Sequence, residues 1–152
     1  MKYPNLSPSI LFVMTFISGM FLSWIQPWSL TLYLDDEVIR FIGLVLLFVS
    51  LILNILAYRM FKNHLTPHAP FCTPTILIDS GVFTLSRNPI YLALVLSQCG
   101  LAFIFDMVWP LPSAMILWIT LHYLIVPDEE KILESLFKER YTHYKQQTCR
   151  WF

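Results

Sequence analysis

Charge is scarce in this chain. Ten basic and ten acidic side chains make up 13% of its 152 residues and cancel to zero net charge, about half the charged share of a soluble domain. There is no basic tract interleaved with aromatics, so the cationic footprint that phosphate backbones require is missing and a nucleic-acid surface is excluded. Cysteine is scarce too. Cys72, Cys99 and Cys149 are odd in number, widely spaced and free of any Cys-x-x-Cys pair, which argues against both a disulfide framework and a zinc site. His64 and His68 have a spacing seen in metal sites, but Pro67 between them spoils the helix such a pair needs, and no metal is expected. The N-terminal apolar stretch, preceded by Lys2, has no clear small-x-small cleavage site before Trp24 and Trp28, so it reads as an uncleaved anchor.

Apolar residues, by contrast, fill 57% of the chain. Four apolar segments can be drawn, at residues 9–25, 38–61, 90–105 and 109–126, to be set against the roughly 20 residues a helix needs to cross a hydrocarbon core. Trp24 and Trp28 sit like an interfacial belt, and Pro27 ends or kinks the first segment. The last two segments are short and are separated by Asp106, Pro110 and Pro112, which predicts a tight helical hairpin. After Pro127 the pattern turns amphipathic: Ile132, Leu133, Leu136, Phe137, Tyr141 and Tyr144 recur at helical spacing opposite Glu134, Lys138, Glu139 and Lys145. That helix is expected to lie along the membrane surface, with Trp151 and Phe152 at the interface. The expected fold is therefore an all-α membrane protein of four transmembrane helices plus a C-terminal amphipathic interfacial helix. It forms one domain over residues 1–152, with two helices in residues 1–61 and a loop, hairpin and tail in residues 62–152.

Basic residues set the orientation. Lys2, Arg59, Lys62, Arg87, Lys131, Lys138, Arg140, Lys145 and Arg150 all fall on one side of the segments, while the first and third connections carry Asp35, Asp36, Glu37 and Asp106 against a single Arg40. Both termini are thus expected in the cytoplasm. The second connection, residues 62–88, is stiffened by Pro67, Pro70 and Pro74 and carries the apolar clip Ile76-Leu77-Ile78. Long ordered loops tend to be functional, and this one reads as a lid or cofactor cradle.

Chemistry concentrates in two runs. Asn88 before Pro89 is a strong helix start, and the free amides and positive dipole end of such a start suit a carboxylate or phosphate. Arg87 adds charge there or serves topology alone, and Tyr91 offers a hydroxyl one turn in. Glu129 and Glu130 follow Pro127, which is expected to break the fourth helix and free carbonyls to line a cavity. They could equally be first-turn acids that complement a dipole. His122, two turns before Glu129, is an intramembrane ionisable residue and so either a functional group or a hydrogen-bonded structural one.

Taken together, these residues resemble the isoprenylcysteine carboxyl methyltransferase and phospholipid methyltransferase superfamily of small integral membrane enzymes. One block is Leu77-x-x-x-Gly81-x-Phe83-x-x-x-Arg87-Asn88-Pro89-x-Tyr91; the other is Glu129-Glu130-x-x-Leu133-x-x-x-Phe137-x-x-x-Tyr141-x-x-Tyr144, followed by a late arginine. The resemblance implies methyl transfer from S-adenosylmethionine to a lipophilic carboxylate, thiol or amine that enters from the bilayer. It implies cofactor contacts at Thr75, Ile76, Leu77, Ile78, Phe83, Asn88, Pro89, Ile90, Tyr91 and Glu129, in a bacterial-type cell-membrane protein; the candidate catalytic residues are Arg87, which adds charge at the helix start, and Glu130 or His122, either of which would serve as base for an amine acceptor. The sequence departs from the family pattern in three places: Lys138 stands where the family has Gly, Asn88 where the prenylcysteine enzymes have His, and Ile125 where they can carry an Arg. Two other classes stay open, a membrane reductase with a nicotinamide cofactor and a non-catalytic membrane subunit.

Overall fold

The computed structural model describes residues 7–32, 35–64 and 75–152, and among them it is helical with no strand. Helix α1 (Pro8–Ile25) starts on a proline that has no amide to leave unpaired. α2 (Asp36–Asn63) places Asp36 and Glu37 in its first turn and Lys62 in its last, as the helix dipole favours. α3 (Pro89–Ile104) and α4 (Pro110–Thr120) again begin on prolines. α5 (Val126–Gln147) follows α4 through a π-helical turn, Leu121–Ile125, with no break at Pro127, and kinks at Lys138, where φ 44° and ψ −121° are not helical. Three helices, Pro8–Ile25, Asp36–Asn63 and Pro110–Gln147, are long and apolar enough to cross a membrane, and Pro89–Ile104 is a shorter apolar helix.

The continuity of α4 and α5 overturns the expected break at Pro127. In a regular α-turn the proline ring would collide with a carbonyl one turn back. Here the turn is widened, and the amide of Val126 bonds to the Leu121 carbonyl five residues earlier, which accommodates the ring without ending the helix. The apolar side of the C-terminal helix, expected to rest on the membrane surface, is covered by protein around two of its tyrosines. Its Tyr141 and Tyr144 are buried with Leu77, Ile78, Val82, Phe83 and Ala57, so its apolar side packs against protein.

α2 packs on α3, α1 on α4, and α3 on α4 across the connection at residues 105–109. Small residues allow the approach: a Cβ on Gly43 would lie 2.9 Å from the Gly100 carbonyl, and one on Gly19 only 2.7 Å from the Pro110 Cα. A few polar contacts then fix register within an apolar bundle. Gln98, fully buried on α3, donates to Ser113 Oγ on α4 at 2.8 Å and accepts from Thr15 on α1 at 3.0 Å. Ser50 on α2 donates to the Ala93 carbonyl on α3 at 2.9 Å.

The first and third connections meet at one end of the bundle. Asp106, at φ 52°, accepts from the amides of Leu30 (2.7 Å) and Thr31 (3.0 Å) and from the hydroxyls of Ser29 and Thr31. Trp28 stacks on Trp109 beside it, and the Trp109 indole donates to the Gln26 carbonyl at 3.0 Å. Partial desolvation pushes the Asp106 carboxyl up, but hydrogen bonds from Ser29, Thr31 and Leu30 outweigh it and hold the group below the usual carboxylate range. In the sequence Asp106 only separated two segments; in the fold it clips two connections together.

Candidate active site

The two chemistry-bearing runs meet at the opposite end of the bundle. The Tyr91 hydroxyl, from the first turns of α3, donates to Glu129 Oε1 on α5. Beside it, Arg87 Nη1 donates to Glu130 Oε1 at 2.8 Å. Segments 38 residues apart in sequence are thereby joined through both members of the glutamate pair.

The glutamates occupy different surroundings. Glu130 is 7% exposed and sits among three cations. Arg150 contacts it through Nε at 3.1 Å and Nη2 at 2.7 Å, Arg87 as described, and Lys145 at 3.9 Å. Such a fork from arginine to carboxylate is among the stronger polar contacts available. Glu129 has no cation against it, and apart from the Tyr91 hydroxyl its carboxylate has no hydrogen-bond partner among the described residues. Arg87 Nε is buried and has no hydrogen-bond partner there either.

Asn88 does not cap α3 with its side chain, contrary to expectation. Its backbone has φ −131° and ψ 55°, and its Nδ2 donates instead to the Arg150 carbonyl at 3.1 Å. No side chain caps the amides of the first turn. The reason is the C-terminal tail, which folds back beneath α3. Ser86 Oγ donates to the Arg150 carbonyl at 3.2 Å, and the Arg87 amide donates to the Cys149 carbonyl at 3.1 Å. Trp151, expected at the interface, turns inward: its indole donates to His122 Nδ1 at 2.8 Å and stacks on that ring, which also stacks on Trp118. Phe152 stays 83% exposed.

The apolar clip divides. Leu77 and Ile78 are buried in the cluster with Phe83, whereas Thr75 and Ile76 remain at the surface. Phe83 makes an edge contact with Phe61 of α2, and its carbonyl accepts from the Tyr144 hydroxyl at 2.6 Å. Pro89 is buried, Ile90 packs against the same cluster, and Tyr91 packs against the Leu117, Leu121 and Ile125 cluster. The prolines at 67, 70 and 74, His68 and Cys72 lie outside the described residues. Sequence reading used Arg150 only for orientation and as a late arginine, and missed its role in joining Glu130, Asn88 and Ser86; its family spacing was the one available signal.

A family model described as phospholipid methyltransferase matches residues 38–140. The chain belongs to the phospholipid methyltransferase family. That match spans α2, the clip, α3, α4 and most of α5, and so contains both halves of the Tyr91–Glu129 and Arg87–Glu130 contacts. No curated protein matches the chain. Membership makes it a membrane methyltransferase by family.

Proposed function

We propose that the protein transfers a methyl group from S-adenosylmethionine to a lipophilic acceptor resident in the membrane. The single observation behind this reading is the pairing of Tyr91 with Glu129, which brings the helix start of α3 against the glutamate pair. The residues present fit the cofactor. The donor set offers first-turn amides of α3 left free by any side-chain cap, the buried Nε of Arg87, and the Glu129 carboxylate, engaged only by a phenol. The amides and the dipole end suit the methionine carboxylate, and Glu129 suits a ribose diol. S-adenosylmethionine would supply an electrophilic methyl group to an in-line displacement.

The chain's own residues then have positional work. Holding two reactants in line is worth up to ~7–11 kcal/mol in intramolecular models. Tyr91 orients Glu129; Arg87 and Arg150 hold Glu130 as an anion that fixes the start of α3. An acceptor that must lose a proton would need a base, and Glu130, tied to three cations, is engaged in that ionic network. His122 already accepts through Nδ1. A carboxylate or thiolate acceptor needs no base, and this surrounding favours it. The same reading places α3 as a fourth membrane crossing, the site on the cytoplasmic side of a cell membrane, both termini there, and the acceptor entering sideways from lipid.

Calorimetric titration of the detergent-purified protein with S-adenosylhomocysteine tests the proposal. Saturable binding is expected, weakened about 10–100-fold in Glu129→Gln by loss of charge-assisted hydrogen bonds. Folded protein that shows no saturable binding would overturn it, and binding of NADPH instead would assign the site to a reductase.

A further inference from the structure

A second polar feature lies away from this site, on the outer face of α2. Asn54, Ile55, Tyr58, Arg59 and Lys62 line a groove of about 500 Å³. Their spacing puts them along one side of the helix, and Tyr58 is 53% exposed. Arg40, Arg87, Lys131, Arg140, Lys145 and Arg150 each pair with a carboxylate. Among the described residues, Arg59 and Lys62 do not.

Complementing the dipole at the end of α2 requires one cation in the last turn, and Lys62 supplies it. Arg59 exceeds that need. Depth supports a ligand at this level. Counting roughly 20 residues from Val38 across a hydrocarbon core reaches the turn before Arg59, so both cations emerge where phospholipid phosphates lie. Below the groove the same face of α2 continues as an apolar stripe, with Phe48, Leu51, Ile52 and Ile55 all exposed. A basic pocket on top of an apolar stripe matches an amphiphile with an anionic head.

We propose that this groove binds the headgroup phosphate of an anionic phospholipid, with Arg59 and Lys62 on the phosphate and the acyl chains along the stripe of α2. The site is distinct from the methyl-transfer site and does not depend on that reading. The two are neighbours through the opposite face of the helix, where Ala57, Met60 and Phe61 pack against the clip.

Lipid retention measured by native mass spectrometry tests this. Full-length protein is reconstituted in bilayer discs of phosphatidylglycerol mixed with phosphatidylcholine and then released. Each cation near a membrane surface contributes roughly fivefold, so Arg59→Gln with Lys62→Gln is expected to lower phosphatidylglycerol retention about thirtyfold and leave phosphatidylcholine retention unchanged. Lys138→Gln, another cation that forms no ion pair among the described residues and does not line the groove, should change nothing. The proposal is overturned if the double variant retains phosphatidylglycerol like the wild type, or if Lys138→Gln lowers retention equally, since diffuse charge would then suffice. It is also overturned if millimolar inorganic phosphate alone displaces the lipid, because the site would then take free anions. Both groove side chains are exposed, so their substitution leaves the packed core intact.

Discussion

Replacing Glu130 by Ala is the most informative single change. The carboxylate is 7% exposed and accepts from Arg87 and twice from Arg150, with Lys145 3.9 Å away. Its removal affects the three cations unequally. Lys145 and Arg150 keep side-chain exposures of 33% and 27% and can turn to water, and Lys145 retains Glu134 at 2.6 Å. Arg87 has only 10% exposure and an Nε already without a partner, and a guanidinium cannot shed its charge. The cost should therefore be that of a broken buried pair, about 3–5 kcal/mol. For a chain of this size that corresponds to a fall in Tm of roughly 6–20 °C, read by thermal unfolding in mild detergent. Glu130→Gln keeps an acceptor and should lose less. The sharper check is Arg87→Met added to Glu130→Ala: if the stranded charge is the cause, the second change should restore stability rather than lower it further. A loss under about 1 kcal/mol in Glu130→Ala, or additive losses in the double variant, would refute the reasoning.

Three further outcomes are expected. Lys138 sits inside α5 at φ 44° and ψ −121°, a conformation costing a non-glycine residue on the order of 1–3 kcal/mol, so Lys138→Gly should raise the unfolding midpoint in the same assay. Asp106 has its folded pKa depressed; its contribution is present above the unfolded value near ~4 and is lost as pH falls through the lower folded value. The stability gap between wild type and Asp106→Asn should then be widest above about pH 5 and close in acid, which a pH series of unfolding curves would show. His122→Leu should release the Trp151 indole, moving its ¹⁵N–¹H resonance upfield and costing about 1–3 kcal/mol; His122→Asn, which keeps an acceptor near the Nδ1 position, should hold the resonance close to its wild-type place.

What could be read in the sequence was whatever depends on periodicity and on residues with one dominant use. The apolar runs gave the helices, Pro89 gave the start of α3, and the spacing of Arg87, Tyr91, Glu129 and Glu130 anticipated groups that the fold brings together. Lys in glycine's place at 138 put a turn there in doubt, and the backbone makes the turn all the same, with Lys138 at φ 44° and ψ −121°. The failures share a cause. Pro127 signals a break only if the preceding turn is α-helical, and a π-turn leaves no mark on hydrophobic spacing. Asn88 signals a cap only if no other acceptor competes, and the competing Arg150 carbonyl arrives from 62 residues away. Trp151 looks interfacial until His122 offers a partner inside the bundle. Local pattern states what a side chain can do, and long-range contact decides which option it takes.

The Arg87–Glu130 contact also bears on how the protein enters the membrane. The partner of Arg87 is made 43 residues after it, a lag of roughly 2–9 seconds at ordinary rates of synthesis. With α3 as the proposed fourth crossing, an uncompensated guanidinium just ahead of its first turn would through that interval hold that end at the water boundary while the apolar remainder partitions into lipid. On that topology the ion pair that later locks the site would begin as a brake, keeping the helix from sinking past the depth at which its partners will find it.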